Sequence, residues 1–196
     1  MTTVKRLFLL RHGSTGAGDR YIGATDLPLS DDGAADLADT AAFLRRQAID
    51  AIYCSPLRRC RQTLDLLGLD CRTEIVDDLR EIDFGRWEGL SFAGICEQDQ
   101  ALVDRWAEGE ADFAFPGGEA MAAFLARIDK LREMLATTKA SRPLLVTHGG
   151  IIRHLLCACL GIAPEKALLF SVRAGRCAIL DLHSAGGVLA GFNLGA

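Results

Sequence analysis

Strand-length apolar runs separated by segments of helical periodicity constrain this chain more than any other feature. Residues 5–10 (KRLFLL), 50–54 (DAIYC) and 143–147 (PLLVT) read as buried strands, with 73–76 as a further candidate. Between them lie helical patterns. Ser30 is placed to cap a helix that Asp31 and Asp32 open and that Leu37, Ala41 and Leu44 continue at helical spacing. Residues 57–67 form a helix stopped by Gly68, and 149–160 one stopped by Gly161. Residues 91–108 read as a polar, peripheral helix, 113–118 as a Pro/Gly loop, and 119–138 as a long amphipathic helix. Residues 170–172, 177–182 and 188–192 are expected to close the chain as short strands. Strands alternating with helices predict an α/β fold. The expected form is a three-layer α/β/α sandwich, with a mostly parallel central sheet and helices on both faces. At 196 residues the expectation is one domain over 1–196, carrying a small, mostly helical insertion at about 85–118 that covers one end of the sheet.

Composition removes several function classes. Apolar residues make up 49% of the chain and charged ones 24%, which is a globular balance. A net charge of −4 with no basic run argues against nucleic-acid binding, while leaving room for a local positive pocket. No apolar run has the length of a bilayer span, so no membrane partner is expected. Residues 1–10 hold a short apolar run without a small-residue cleavage site, which is not a signal peptide. The seven cysteines are odd in number and contain no Cys-x-x-Cys, so they read as reduced core residues of a cytoplasmic protein. No His, Cys or acidic set stands at metal-ligand spacing, and neither a metal nor an organic cofactor is expected.

In open α/β sheets, ligands sit beyond the carboxyl ends of the strands. Two of the four histidines fall there: His12 after 5–10 and His148 after 143–147, each followed by glycine. A neutral imidazole is a nucleophile near neutral pH, and phosphorus is an electrophile it attacks well. A transferring phosphoryl group needs fixed positive charge, which arginine supplies through two parallel hydrogen bonds. Arg11 adjoins His12, and Arg58, Arg59 and Arg61 follow the second strand, Arg58 and Arg61 reading as solvated surface. A leaving oxygen also needs a proton donor. Glu81, Asp83 and Glu88 lie among bulky apolar residues where a carboxyl can act as an acid, and composition does not choose among them. The run Gly13-Ser14-Thr15-Gly16-Ala17-Gly18 lacks the Gly-Lys-[Ser/Thr] ending of a P-loop and the spacing of a dinucleotide fingerprint.

Leu10-Arg11-His12-Gly13-Ser14-Thr15 resembles the Arg-His-Gly signature of the histidine phosphatase superfamily, also called phosphoglycerate mutase-like. The likeness extends over nearly the whole chain. Ser55-Pro56-Leu57-Arg58-Arg59-Cys60 resembles its second-arginine motif and selects Arg59. Leu79-Arg80-Glu81 through Trp87-Glu88-Gly89 resembles its acid-bearing motif and selects Glu81, and Thr147-His148-Gly149-Gly150-Ile151-Ile152-Arg153 its second-histidine motif. The resemblance implies that His12 forms a phosphohistidine and that Arg11, Arg59 and His148 hold the phosphoryl oxygens. It further implies that His148 is cationic when phosphate is bound. Glu81 then protonates the leaving alcohol and afterwards deprotonates a water. The Gly149 N–H and the Ser14 and Thr15 hydroxyls are expected to add hydrogen bonds to the phosphate. Two positions depart from the family pattern: Ser14 stands where glutamate is frequent, and Gly18 where asparagine is.

The compact chain, the 81–89 segment, Phe170-Ser171-Val172 and Ile179-Leu180-Asp181-Leu182 are similar to the phosphatase branch, and within it to the α-ribazole phosphatases of cobalamin nucleotide-loop assembly. The implied function is hydrolysis of a small-molecule phosphate monoester, with α-ribazole 5′-phosphate as the leading substrate. A cofactor-dependent phosphoglycerate mutase and an inactive phosphate-binding scaffold are the alternatives. Tyr21, Gly23, Arg86 and Trp87 are candidate substrate contacts, with the core as the other reading of Trp87. A homodimer is left open.

Overall fold

The computed structural model describes residues 4–184 and 186–195. The single-domain expectation and the reading of residues 1–10 extend to residues 1–3, 185 and 196, which lie outside the described residues. In chain order the elements begin with strand β1 (Lys5–Arg11), helices α1 (Asp31–Ala35) and α2 (Ala38–Arg45), strand β2 (Ala51–Cys54), helix α3 (Arg58–Leu67) and strand β3 (Thr73–Ile75). Helices α4 (Phe92–Glu108) and α5 (Met121–Thr137) follow, then strand β4 (Pro143–Thr147), helix α6 (Gly149–Leu160) and the closing strands β5 (Cys177–His183) and β6 (Gly186–Leu194). Short 3-10 turns occupy Asp77–Leu79, Gly85–Trp87 and Pro164–Leu169.

The six strands form one sheet in the order β3-β2-β4-β1-β5-β6. β3, β2, β4 and β1 run parallel, and β5 and β6 add an antiparallel edge. Side chains alternate across β1 as a sheet buried on both faces requires. Leu7 and Leu9 join a core with Phe124, Ile128, Ile151 and Leu155 from α5 and α6. Phe8 and Leu10 join a second core with Ala41, Leu44, Cys60 and Leu67 from α2 and α3. The expected sandwich with helices on both faces is therefore present.

Two local expectations need correction. The helical pattern after Ser30 is not continuous: Ser30 Oγ does cap α1 by accepting the Gly33 N–H, but the helix breaks at Asp36–Leu37 and restarts as α2. Residues 170–172 are not a strand. The carbonyls of Phe170, Ser171 and Val172 accept from Arg153, Asn193 and Arg11 side chains, so they are not available to a sheet ladder.

Candidate active site

The two chain crossovers diverge at the carboxyl ends of β1 and β4. From β1 the chain enters α1 and α2 on one face, and from β4 it enters α6 on the other. This divergence opens a crevice between neighbouring parallel strands. Register fills it: Arg11 pairs with Thr147, so the next residues, His12 and His148, emerge side by side with ring centroids 5.1 Å apart. A cleft of about 300 Å³ lies over them, lined by Arg11, His12, Thr15, Tyr21, Glu81 and Arg153 among others. A larger depression, about 500 Å³, lies beside Asp50, Arg72 and Lys139 near the opposite, amino ends of β2 and β4.

His12 is only 7% exposed, and its backbone N–H donates to Thr147 O at 2.9 Å. Its Nδ1 lies 2.7 Å from the Gly13 carbonyl. A carbonyl only accepts, so Nδ1 carries the proton and the neutral ring keeps its lone pair on Nε2. Burial, followed by the charges of Arg11 and Arg59, holds the His12 pKa well below its ordinary value of 6.5. The ring is thus a neutral nucleophile at pH 7.

Arg59, in the first turn of α3, is fully buried. Its Nη1 and Nη2 donate to Thr25 O and Gly23 O, each at 2.8 Å, and its Nε to His148 Nδ1 at 3.2 Å. That assignment leaves His148 Nε2 as the protonated nitrogen, donating to Ser55 Oγ at 2.8 Å. His148 is therefore neutral in this arrangement, and burial, then the charges of His12, Arg59 and Arg11, lower its pKa well below 6.5. Arg11 donates through Nη1 to Val172 O, whereas its buried Nε has no hydrogen-bond partner among the described residues. Burial lowers both arginine pKa values, but a guanidinium stays protonated. Neither arginine forms an ion pair with a carboxylate among the described residues. A fully buried Arg59 and a half-buried Arg11 with only neutral hydrogen-bond acceptors are costly to desolvate, and a bound dianion offsets that cost.

The three carboxylates left open by composition separate by what they accept. Asp83 Oδ1 accepts the Gly85 N–H and shapes a turn. Glu88 accepts the N–H groups of Gly23, Ala24, Thr25 and Phe84, fixing the loop whose carbonyls hold Arg59. Glu81 alone of the three lines the cleft. Its Oε2 accepts the Gly150 N–H at 2.9 Å in the first turn of α6, and its Oε1 the Ile82 N–H at 3.1 Å. A Cβ at position 150 would collide with Glu81 Oε1, so glycine is what admits the carboxylate.

Of the residues expected in the site, His12, Arg11, Glu81, Thr15, Gly149 and Tyr21 line the cleft, with Arg59 and His148 packed behind it. Gly149 opens α6, where first-turn N–H groups have no intrahelical acceptor. Four expected contacts are elsewhere. The Ser14 hydroxyl accepts the Gly16 N–H and stabilises its own loop. Gly23 serves Arg59 through its carbonyl, and a side chain there would collide with Ile82 O. Arg86 pairs with Asp99 on the outer surface, and Trp87 is fully buried with Nε1–H donating to the same Asp99 at 2.8 Å. Asp99 is the non-helical residue at which α4 kinks, which explains why a carboxylate there can serve both. Residues not singled out beforehand also belong to the site. Arg153 follows Gly149 by four residues, one helical turn, and therefore faces the same cleft; its Nε donates to Phe170 O at 2.9 Å. Ser55 and Thr63 orient His148 and the Gly13 N–H. Trp106 from α4 forms a wall whose approach no local sequence signal reports.

The buried histidines make stability pH-dependent. His12, His148 and His154 all titrate below 6.5, chiefly because burial penalises the charged ring. As pH falls below 6.5 the unfolded chain takes up protons first, and stability falls wherever the unfolded state binds more. The melting temperature of the phosphate-free protein is therefore flat between about pH 7 and about pH 8 as far as the histidines are concerned and drops below pH 6.5, each histidine contributing up to about 1.4 kcal/mol per pH unit. Thermal melts from about pH 8 to about pH 5 check this; a melting temperature that rises on acidification would contradict the buried neutral rings.

Comparison with known proteins places this geometry. The family model for the histidine phosphatase superfamily (branch 1) matches residues 7–195. The chain is 36% identical over 160 residues to a bifunctional protein of Mycobacterium tuberculosis, a match covering 79% of this chain and 44% of that protein. The chain thus spans less than half the length of that relative. It is 28% identical over 182 residues to the adenosylcobalamin/alpha-ribazole phosphatase of Salmonella typhimurium, covering 90% of each. The crystal structure of the alpha-ribazole phosphatase from Shigella flexneri superposes with a TM-score of 0.86 at 26% identity, over 97% of both chains.

Proposed function

The chain belongs to branch 1 of the histidine phosphatase superfamily, and from that membership we propose that it hydrolyses a small-molecule phosphate monoester through a phosphohistidine on His12. The observation that carries this reading is the unprotonated His12 Nε2 in a cleft that Arg11 and the carboxyl group of Glu81 also line, with Arg59 directly behind it and neither arginine in an ion pair among the described residues. His12 Nε2 attacks phosphorus, forming a P–N bond as the P–O bond to the alcohol breaks. Glu81, protonated at that moment, gives its proton to the departing oxygen. The resulting carboxylate then takes a proton from water as that water attacks phosphorus, releasing phosphate and restoring His12. Arg11 and Arg59 hold the non-bridging oxygens, whose charge grows in the transition state, and His148 joins them once it takes up a second proton and turns a donor from Ser55 to the phosphate. Arg11 Nε, a buried donor without a protein partner, supports its part in that task. Gly149 N–H and Thr15 Oγ are further donors on the cleft wall.

The likeness to alpha-ribazole phosphatases over nearly full length supports α-ribazole 5′-phosphate as the substrate and favours hydrolysis over phosphoglycerate mutation. A panel of phosphomonoesters assayed with EDTA present tests both points. The expected result is metal-independent release of phosphate, with α-ribazole 5′-phosphate giving the highest kcat/KM. Failure to release phosphate from any ester, or rapid interconversion of 3-phosphoglycerate and 2-phosphoglycerate in the presence of 2,3-bisphosphoglycerate, would overturn the reading.

A further inference from the structure

Glu88 has no part in the phosphoryl transfer itself, yet it accepts more N–H groups than Glu81 or Asp83. Its Oε1 accepts those of Gly23 and Ala24 at 3.0 Å each and of Phe84 at 3.2 Å. Its Oε2 accepts those of Gly23 at 3.1 Å and Thr25 at 3.2 Å. Successive backbone N–H groups turned toward one anion form a nest, and here a side chain of the protein fills it. On the other side of the same loop stands Arg59, donating to Gly23 O and Thr25 O at 2.8 Å each. Neither Glu88 nor Arg59 forms an ion pair among the described residues. The Gly23 carbonyl and the Ala24 N–H belong to one peptide unit. In a trans peptide these two groups point in opposite directions. Glu88 and Arg59 therefore bracket a single peptide dipole, the anion at its N–H and the cation at its oxygen, and each strengthens the other's hydrogen bond to it. The arrangement needs glycine at 23, where a Cβ would collide with Ile82 O and Glu88 Oε1.

We propose that Glu88 is a positioning residue for phosphate: acting through the Gly23–Ala24 peptide, its carboxylate sets the direction of the Arg59 guanidinium that meets the phosphoryl oxygens. The inference rests on the phosphomonoesterase reading and adds to it a residue that never touches the substrate. Three of the five Arg59 N–H donors are committed to Gly23 O, Thr25 O and His148 Nδ1, which leaves two for a phosphate. Where those two point depends on where the two carbonyls stand. Residues 23–25 belong to no helix or strand, and the loop's own backbone adds one hydrogen bond, from the Leu27 N–H to Thr25 O at 3.1 Å. The carboxylate is therefore what orients the Gly23 carbonyl. Glutamine at 88 keeps the shape but turns an amide N–H2 toward groups that need an acceptor, and its neutral oxygen polarises the peptide less. The direct effect of charge has the opposite sign, since deleting an anion near the cleft by itself tightens phosphate binding. Weaker binding in Glu88→Gln thus reports position, not field.

A double-mutant cycle read by calorimetry of inorganic phosphate tests this, with wild type, Glu88→Gln, Arg59→Gln and the double variant. Glu88→Gln is expected to raise the phosphate Kd about tenfold when Arg59 is present and less than about twofold when Arg59 is already glutamine, as for two residues coupled in one hydrogen-bond network. A purely structural role for Glu88 loosens the cleft in both backgrounds alike. Equal weakening in both, unchanged binding, or tighter binding in Glu88→Gln would therefore overturn the proposal. Glu88→Ala is the second variant should Glu88→Gln not fold. It vacates the nest, and acetate, which replaces the lost CH2–COO⁻ group, is expected to tighten phosphate binding in it and not in wild type. No gain over chloride at the same ionic strength would sink the proposal. Phosphate binding is read without turnover, so the two readings fail separately. Binding that follows the cycle in a protein that hydrolyses no ester removes the phosphomonoesterase reading and keeps the role of Glu88 toward the bound anion. A wild type that binds no phosphate overturns both.

Discussion

Replacing His12 with alanine lowers kcat on every phosphomonoester by on the order of 10⁴-fold or more, the scale at which loss of a covalent nucleophile disables a concerted catalytic set. The size follows from the geometry. His12 Nδ1 is committed to the Gly13 carbonyl, so Nε2 is the ring's single free lone pair, and alanine leaves the cleft with no equivalent. The other histidine does not substitute. The His148 Nδ1 lone pair accepts from Arg59, and its Nε2–H donates to Ser55. Phosphate binding survives in the variant, since Arg11 and Arg59 are held by contacts to Val172, Thr25 and Gly23 that do not involve His12. Inhibition of substrate binding by inorganic phosphate, followed by calorimetry, therefore stays within a few-fold of wild type while turnover is lost. Retained turnover would remove His12 from the nucleophile's role.

Glu81→Gln is expected to separate the two halves of the reaction. The amide oxygen of glutamine can accept the Gly150 N–H that Glu81 Oε2 accepts now, and only the Ile82 N–H that Oε1 accepts loses its acceptor, so the fold is kept at the loss of one local hydrogen bond. What is lost is a proton to give. For an unactivated alkyl ester, kcat falls by about 10²–10⁴-fold, the usual worth of a positioned general acid. p-Nitrophenyl phosphate releases a phenolate that needs little protonation, so its first step is nearly preserved. The second step still lacks a base for the attacking water. The variant therefore shows a burst of nitrophenol matching the enzyme concentration, followed by slow turnover. Equal loss on both esters, with no burst, would mean that Glu81 positions the α6 terminus instead of moving a proton.

The sheet and its site were legible from sequence to different depths. Apolar runs of strand length ending in His-Gly identified β1 and β4 and put His12 and His148 at their carboxyl ends, because both the run and its punctuation are local. That these strands are neighbours is a matter of register between residues far apart in the chain, and only the pairing of Arg11 with Thr147 brings the rings together. The choice among Glu81, Asp83 and Glu88 needed the family likeness, since the three share a local environment and differ in which N–H groups fold back onto them. Arg86 and Trp87 were candidate substrate contacts because aromatic and basic residues near an acid motif resemble a binding wall, and the burial of Trp87 fits its other reading, as core. Asp99, at a kink in α4, draws both away from the cleft. Residues 170–172 show the same limit: their composition suits a strand, but side-chain donors from α6, β1 and β6 occupy their carbonyls.

The central claim is that the phosphoryl group rests on His12 between the two steps. Rapid mixing of Glu81→Gln with radiolabelled phosphomonoester, quenching in denaturant at alkaline pH and peptide mapping tests it directly. The expected result is a stoichiometric, acid-labile, alkali-stable phosphoryl group on the peptide containing His12 and none in the Glu81→Gln protein that also carries His12→Ala. Absence of label during the nitrophenol burst, or label on any other residue, would contradict it.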